Sequence, residues 1–258
     1  YTVIVVIGGD GTFHEAVNGY IKAGGRAKGV RLALIPAGSG NDFCRNFRSY
    51  PKHNPSRILD AIIADEYVLV DAIRYQCAPS QVHQTSPSSG YYINGSSFGI
   101  RYWPGLGKLP YLYHGIKSYF VDYKPFPVEY TFVRPDGTQS VGCDRPFLFA
   151  VMNGRYFGGG LRVAAKAAPM DGKANLVNAH DMPFWRVLTS FLPGALFNWV
   201  SSISIPQNMR SGEVIAAQVQ PLFDNDEILL EVDGEVAGVL PVRYQVVSNA
   251  IRFILPQF

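Results

Sequence analysis

The first part of the chain alternates short apolar runs with segments of helical periodicity. Residues 2–7 form a β-branched run that ends at glycines, which predicts a buried strand, and residues 31–35 form a second such run. Between these runs, apolar side chains recur at helical spacing until the Gly24-Gly25 pair, and residues 56–64 carry a second helical stripe. This strand–helix–strand alternation predicts a parallel sheet with helical crossovers.

From about Tyr67 onwards, apolar and polar residues alternate in short segments. Strands are predicted at residues 67–75, 91–94, 128–133, 147–152, 175–179, 213–219, 228–232, 244–247 and 251–255. Antiparallel sheets packed as a sandwich account best for this pattern. Residues 79–90 are expected to form a polar loop, and residues 105–120 and 183–200 are helical candidates. The apolar segment 183–200 is expected to be a buried helix, with a membrane-docking or acyl-chain surface as the alternative.

We therefore expect two domains, an α/β domain with a parallel sheet at residues 1–66 and an antiparallel β-sandwich at residues 67–258. Because the chain opens at Tyr1 inside an apolar run, the α/β domain is expected to be incomplete at its start. The composition, 47% hydrophobic and 17% charged, excludes a disordered chain, and a net charge of +3 offers no footprint for nucleic acid. Three cysteines form neither a disulfide framework nor a zinc pattern, which favours a reducing, cytoplasmic compartment.

The first candidate for chemistry is the turn Gly8-Gly9-Asp10-Gly11-Thr12, between the first predicted strand and helix. Glycines let backbone amides approach a ligand closely, and the positive end of the following helix suits phosphate. A carboxylate in such a turn repels phosphate, so Asp10 is expected to contact a metal, orient a hydroxyl or accept a proton. The alternative is a structural turn in which Asp10 caps its helix.

A second glycine-rich turn, Gly38-Ser39-Gly40-Asn41-Asp42, follows the second predicted strand. The carboxyl ends of parallel strands lie at one edge of a sheet, where ligands bind, so the two turns are expected to face one site. Ser39 can donate a hydrogen bond to a phosphate oxygen. The alternative for Asn41 and Asp42 is helix capping.

These turns, G-G-D-G-T-F-H-E-A-V-N-G and I-P-A-G-S-G-N-D-F, resemble the catalytic domain of the diacylglycerol kinase family, which includes bacterial lipid kinases and the sphingosine and ceramide kinases. Four later segments resemble further family motifs in the same order: L-G-K-L-P-Y at 106–111, N-G-R-Y-F-G-G-G at 153–160, A-P-M-D-G at 168–172 and V-D-G-E at 232–235. NAD kinases share the first motif but neither G-S-G-N-D-F nor the late D-G-E. The resemblance spans nearly the whole chain, which makes it more specific than the first motif alone.

The resemblance implies an ATP-dependent kinase that acts on a lipid hydroxyl, with its active site between two domains. It assigns to ATP the residues Gly8, Gly9, Asp10, Gly11, Thr12, Phe13, His14, Gly38, Ser39, Gly40, Asn41 and Asp42. It implies Glu235 as the proton acceptor, Asp10 as a catalytic residue that helps to position metal and phosphate, and a Mg²⁺ site formed by Ala168, Asp171 and Lys173. The expected substrate is diacylglycerol or a related lipid at a membrane surface, and a homodimer is an open alternative.

Several features favour other interpretations. The Asp233-Gly234 pair is by itself a common hairpin signal, so a plain turn is the alternative there. Arg101 lies where the family often has Asp, which, with the incomplete start, leaves a non-catalytic nucleotide- or lipid-binding member as an alternative. Ser39 replaces the usual Thr but keeps the hydroxyl. Residues 95–99 match the G-x-S-x-G pattern of serine hydrolases, with Ser97 as nucleophile, but residues 100–104 do not begin the helix that a nucleophile elbow requires.

Overall fold

A computed structural model describes residues 1–48, 50–51, 54–80, 88–99, 126–180, 209–223 and 227–256. Its helices are α1 (Asp10–Lys22), α2 (Asp42–Arg45) and α3 (Ser56–Ile63). Its strands are β1 (Val3–Gly8), β2 (Arg31–Pro36), β3 (Tyr67–Ala78), β4 (Ser88–Tyr92), β5 (Gly95–Phe98), β6 (Val128–Val133), β7 (Gln139–Asp144), β8 (Pro146–Met152), β9 (Tyr156–Phe157), β10 (Leu161–Arg162), β11 (Ala174–His180), β12 (Met209–Val214), β13 (Ala216–Pro221), β14 (Leu229–Val232) and β15 (Glu235–Ile254). The helical candidates at 105–120 and 183–200, and Arg101, lie outside the described residues.

Parallel pairing is confined to the start of the chain and one contact with its end. Strands β1 and β2 pair in parallel from Val3–Arg31 to Gly8–Pro36, and β2 meets β15 in parallel at Leu32–Phe253. Every other pair among the described strands is antiparallel. The predicted parallel sheet is therefore not confirmed beyond these contacts, because β15, which pairs with β2, pairs antiparallel with its other neighbours β3, β13 and β14.

Strand β15 connects most of the architecture. It is 20 residues long and pairs with β2, β3, β13 and β14. Thirteen strands join in one hydrogen-bonded sheet, whose main path runs β12-β11-β8-β5-β14-β15-β13-β6-β7. The two strands predicted at 244–247 and 251–255 are both parts of β15, and the register with β3 shifts between Val247 and Ile251, where Asn249 has a φ of 55°.

Two other predicted boundaries are wrong. The single strand predicted at 213–219 is divided at Ile215 into β12 and β13, which pair with different neighbours. The loop predicted at 79–90 includes residues 88–90, which belong to β4 and pair with β3 despite their small, polar side chains. Pairing with a neighbouring strand, which local pattern does not report, decides both cases.

The first hydrophobic core is built from both ends of the sequence. It contains Phe13 of α1, Leu34 of β2 and Phe43 of α2, together with Phe253 of β15. The ring of Phe43 lies 5.0 Å from the ring of Phe13 and 5.0 Å from that of Phe253, in tilted and edge arrangements that aromatic pairs favour. The end of the chain thus stabilises the packing of α1 and α2, the two helices that follow the glycine-rich turns.

A second core lies within the antiparallel part of the fold. It includes Tyr92, Phe149 and Leu230, each buried between strands far apart in the sequence. The division of the chain near residue 66 stays a prediction. Among the helices of the described ranges, none has the length and hydropathy needed to cross a lipid bilayer.

Candidate functional site

The two glycine-rich turns pack directly against each other. A Cβ atom added to Gly38 would lie 2.4 Å from the Cα of Gly9, and one added to Gly9 would lie 3.1 Å from the Cα of Gly38. A side chain at either position would therefore collide with the other backbone, and glycine is the residue that allows this approach. Ser39 stays exposed beside the contact. The structure thus brings together the residues assigned to ATP in the two turns.

The carboxylate of Asp10 joins the first turn to α2. Its Oδ2 accepts a hydrogen bond from the backbone N–H of Asp42 at 3.0 Å, and its Oδ1 accepts one from that of Phe43 at 3.1 Å. The side-chain amide of Asn94 donates to Oδ1 at 3.5 Å. The first amides of a helix lack partners within the helix, and a carboxylate satisfies them. The alternative in which Asp10 caps its own helix is wrong, because Gly9 is the residue before α1 and no side chain caps that end.

Asn41 and Asp42 do not cap α2 through their side chains, so that alternative is wrong as well. Asn41 adopts a φ of 53°, and its side chain accepts a hydrogen bond from the N–H of Gly38 and donates one to the carbonyl of Gly38. The Oδ2 atom of Asp42 accepts from the N–H of Gly159 at 2.7 Å, and its Oδ1 lies 3.3 Å from Nε of Arg45. Asn41 therefore closes the second turn, and Asp42 attaches the 153–160 segment to it.

Three asparagines that the sequence analysis did not assign help to hold this arrangement. Asn46 accepts from the backbone N–H of Arg155 at 2.7 Å. Asn153, which is fully buried, donates to the carbonyls of Asp71 and Ile93. Asn94 contacts Asp10 as described above. Asn153 belongs to a motif quoted in the sequence analysis, whereas no sequence signal points to a structural role for Asn46 or Asn94.

The Asp233-Gly234-Glu235 segment forms a hairpin turn that is also tied to the first helix. Both Asp233 and Gly234 have positive φ angles, 47° and 94°, as a tight turn between β14 and β15 requires. The buried Asp233 carboxylate accepts hydrogen bonds from the backbone N–H groups of Ile93, Asn94 and Gly95 at 3.0–3.1 Å. A plain turn does not account for these contacts.

His14 of α1 supplies the fourth contact of that carboxylate. Its Nδ1 lies 2.9 Å from Oδ2 of Asp233. Burial lowers the pKa of His14, but the hydrogen bond and charge of Asp233, with smaller contributions from Glu235 and Glu15, outweigh it and leave the pKa raised above 6.5. The histidine side chain is thus engaged with the hairpin.

Glu235 lies at the start of β15, exposed and next to the first turn of α1. A Cβ atom added to Gly11 would meet its Oε1 at 3.4 Å. The fold therefore places Glu235 beside the residue that follows Asp10 in the chain. Phe13, in contrast, is fully buried in the first core, and its side chain does not face this surface.

The residues of the predicted Mg²⁺ site form a separate turn. The buried carboxylate of Asp71 holds this turn, since it accepts from the N–H of Gly172 at 2.7 Å while the N–H of Asp71 donates to the carbonyl of Pro169 at 2.8 Å. Asp171 accepts from the N–H of Lys173 at 3.0 Å, and Lys173 Nζ forms an ion pair with Glu213 at 2.8 Å. Across the described ranges, no cluster of three or more His, Cys, Asp and Glu side chains could hold a metal.

Partial burial raises the pKa of Asp171, while the hydrogen bond and the charge of Lys173 oppose this shift and the charges of Asp71 and Glu213 add to it. The Lys173 ammonium already compensates part of the negative charge here. Any Mg²⁺ bound here would depend on the Asp171 carboxylate and on the backbone carbonyls of Ala168 and Lys173, ligand types that Mg²⁺ accepts. One carboxylate and two carbonyls are a sparse ligand set, so water would have to supply the rest of the coordination of any ion held here.

Ser97 does not occupy a nucleophile elbow. It lies inside β5, which pairs with β8 on one side and β14 on the other, and only 4% of Ser97 is exposed. The neighbouring Ser96 donates to the carbonyl of Glu231 and contacts the hydroxyl of Tyr244. A serine in the middle of a paired strand lacks the exposed strand-to-helix turn that the hydrolase pattern needs.

Comparisons with known proteins agree with this arrangement. A protein of Staphylococcus aureus (strain Mu3 / ATCC 700698) named "Putative lipid kinase" is 22% identical over 253 residues, which are 98% of this chain and 76% of that protein. A crystal structure of a "putative diacylglycerol kinase" from Bacillus anthracis str. Sterne shares 22% identity with a TM-score of 0.71, over 98% of this chain and 77% of the other. The crystal structure of yeast NADH kinase complexed with NADH shares 9% identity with a TM-score of 0.52, over 98% and 60%. These structures show a shared fold.

Two family models divide the chain in the order that the motifs predicted. The model of the diacylglycerol kinase catalytic domain matches residues 1–75. The model of the YegS C-terminal NAD kinase β-sandwich-like domain matches residues 101–255, which confirms the predicted sandwich. The chain therefore belongs to the diacylglycerol kinase catalytic-domain family, in the group whose catalytic domain is followed by a YegS-type β-sandwich-like domain.

Proposed function

We propose that this protein is an ATP-dependent lipid kinase, which transfers a phosphoryl group to the hydroxyl of a lipid. Its family membership supports kinase activity. The strongest structural support is the arrangement of Asp10 and Glu235. The Asp10 carboxylate binds the amides that open α2, and Glu235 lies beside the adjacent Gly11. The two glycine-rich turns and the Glu235 carboxylate thus lie close together.

The backbone of Gly8–Thr12 and the hydroxyl of Ser39 would hold the phosphates of ATP. The close contact between Gly9 and Gly38 leaves both turns without side chains where phosphate oxygens need backbone donors. Because the carboxylate oxygens of Asp10 are bonded to the amides of Asp42 and Phe43, its charge is directed at α2. Asp10 would therefore act as a positioning residue that keeps the turns in register, and this explains how a carboxylate is tolerated there.

Glu235 would accept the proton of the attacking lipid hydroxyl. It is exposed and reaches the first turn of α1, so an incoming hydroxyl and the nucleotide could both approach it. In a loose transition state most of the catalysis comes from positioning and charge neutralisation. A positioned carboxylate base adds roughly 10²–10⁴-fold.

Mg²⁺ is proposed as the cofactor, with Ala168, Asp171 and Lys173 as the residues of this chain that would hold it. When bound, it supplies charge neutralisation. Asp71 orients the turn that carries these residues, through its contacts with Gly172 and Pro169. Among the described residues, no hydrogen bond or ion pair joins Asp171 or Lys173 to the glycine-rich turns.

Diacylglycerol or a related lipid is the proposed substrate, because relatives named as lipid or diacylglycerol kinases share this domain arrangement. We further propose that the protein works in the cytoplasm, at the surface of a membrane where such a lipid is available. Diacylglycerol, phosphatidylglycerol, sphingoid bases and ceramide all carry a primary hydroxyl, so each is a candidate acceptor.

The test is a phosphoryl-transfer assay with labelled ATP, Mg²⁺ and this panel of lipids. Wild-type protein is expected to label at least one lipid, and Glu235→Gln to lower turnover by at least about 10²-fold while ATP binding is kept. Asp10→Ala is expected to abolish turnover and to weaken ATP binding as well. Asp60→Asn, an exposed substitution on α3, serves as the control with unchanged activity.

Two results would oppose the proposal. Wild-type turnover by Glu235→Gln would remove that residue as the base. ATP binding without transfer to any lipid in the panel would favour a non-catalytic nucleotide-binding member of the family.

A further inference from the structure

A polar groove crosses the outer face of four neighbouring strands, β3, β15, β13 and β6. Its volume is about 460 Å³, within the range of small-molecule sites. Its lining combines charged and amide side chains with aromatic, aliphatic and hydroxyl-bearing ones, and the charged and amide residues are Arg74, Gln76, Glu129, Gln218, Gln220, Arg243 and Gln245. It contains none of the residues assigned above to ATP, Mg²⁺ or proton transfer.

The strand register places two arginines of the groove side by side. Arg74 of β3 pairs with Gln245 of β15, and Gln76 pairs with Arg243. The arginines are thus diagonal neighbours on adjacent strands, a relationship with a spacing of about 7 Å in antiparallel sheets. Gln218 of β13 pairs with Arg243 from the other side and adds an amide to the same region.

Both arginines are exposed, and neither forms an ion pair in the part of the chain that the structure describes. The one carboxylate lining the groove, Glu129, lies on β6 and accepts a hydrogen bond from Gln220 at 2.6 Å. The positive charges of the two arginines, on neighbouring strands, are therefore not compensated by a carboxylate within this region of the described structure. The groove is therefore positive at its β3–β15 end and negative at its β6 end.

We propose that this groove binds a phosphate ester that carries hydroxyl groups, such as a phosphoglycerol moiety. The guanidinium groups of Arg74 and Arg243 match the geometry of phosphate oxygens. Gln76, Gln218 and Gln245 can donate to the remaining ester and hydroxyl oxygens, and Glu129 can accept from a hydroxyl at the far end. The two arginines and the amides supply the polar contacts that such a headgroup needs, so the groove is a second ligand site on the sandwich.

The test compares two sources of this chemistry, soluble glycerol 3-phosphate and vesicles of phosphatidylcholine with or without phosphatidylglycerol. Titrations use the full chain in the presence of a saturating non-hydrolysable ATP analogue, which occupies the glycine-rich turns. Arg74→Gln and Arg243→Gln are each expected to raise the Kd by about tenfold, because each removes a charge-assisted contact. Arg57→Gln, an exposed arginine on α3, is the matched control with an unchanged Kd.

Further outcomes distinguish the two ligand sources and test the charge of the groove. If Arg74→Gln and Arg243→Gln weaken binding only to the phosphatidylglycerol vesicles, the ligand is a lipid headgroup. If they weaken binding of glycerol 3-phosphate, the ligand is a soluble ester. Glu129→Gln is expected to tighten glycerol 3-phosphate binding, since it removes a repelling charge while the amide oxygen introduced there can still accept from a hydroxyl. The proposal is overturned if wild-type protein binds neither probe, or if the Arg74→Gln/Arg243→Gln double variant, with unchanged thermal unfolding, binds both probes as wild type does.

Discussion

His14 Nδ1 lies 2.9 Å from Asp233 Oδ2, so the first helix and the last hairpin are joined across 219 positions of the sequence. The same carboxylate binds three consecutive backbone amides between β4 and β5. One buried side chain therefore fixes the relative positions of α1, the β4–β5 connection and the turn that carries Glu235. The position of Glu235, the proposed base, therefore depends on the contacts of Asp233.

Asp233→Asn is expected to lower the free energy of unfolding by about 3 kcal/mol, because it breaks a buried charged pair and leaves backbone amides without full acceptors. Urea unfolding measures this change. Asp60→Asn, which makes the same chemical change at an exposed position of α3, is expected to stay within about 0.5 kcal/mol of wild type. Equal stabilities of the two variants would show that the Asp233 contacts contribute little.

The His14–Asp233 pair is expected to make stability depend on pH. The pKa of His14 is raised in the folded protein, so the stabilisation is fully present below the unfolded pKa of 6.5 and is lost as the pH rises through the folded pKa. The difference in unfolding free energy between wild type and His14→Gln is thus expected to be largest below pH 6.5 and to shrink as the pH rises above it. A difference that grows over this range would contradict the assigned ion pair.

Gly38→Ala is expected to destabilise the protein by about 1–3 kcal/mol and to weaken ATP binding, because its Cβ would lie 2.4 Å from the backbone of Gly9. Gly19→Ala provides the matched control, since a Cβ there meets nothing within 4 Å inside α1. That control is expected to gain about 0.5–1 kcal/mol from helix propensity. Thermal unfolding and nucleotide titration of the two variants measure the contrast, and similar behaviour of both would argue against close packing of the turns.

Glu231 is expected to add a second pH effect. It is 7% exposed in β14, its Oε1 has no hydrogen-bond partner among the described residues, and burial raises its pKa to about 8. Stability from this group is highest below its unfolded pKa of 4.5 and is lost as the pH rises through about 8, by up to about 1.4 kcal/mol per pH unit.

Urea unfolding of wild type and Glu231→Gln across this range tests the expectation. The variant carries no ionisable group at this position and should lose less stability as the pH rises. If the unfolding free energies of the two proteins change in the same way with pH, ionisation of Glu231 does not destabilise the folded protein.

Local pattern was sufficient for much of the first part of the fold. The β-branched run before Gly8 predicted β1, and the apolar stripe through Phe13 and Val17 predicted α1. It was insufficient for β15, which was predicted as separate strands, and for β4, whose residues 88–90 have little strand propensity. Periodicity records which side of an element is apolar, but the partner strand that satisfies its backbone is chosen elsewhere in the chain.

The sequence by itself determined the family, the two glycine-rich turns and the acidic hairpin, because each is written in consecutive residues. Only the tertiary structure decided what Asp10 and Asp233 do. Their carboxylates bind amides 32 and 139 positions away, at Asp42 and Asn94, and contacts between such distant residues leave no local periodicity. The physical reason is that a carboxylate brought out of water must find donors wherever the fold supplies them, here at the start of α2 and in the connection from β4 to β5.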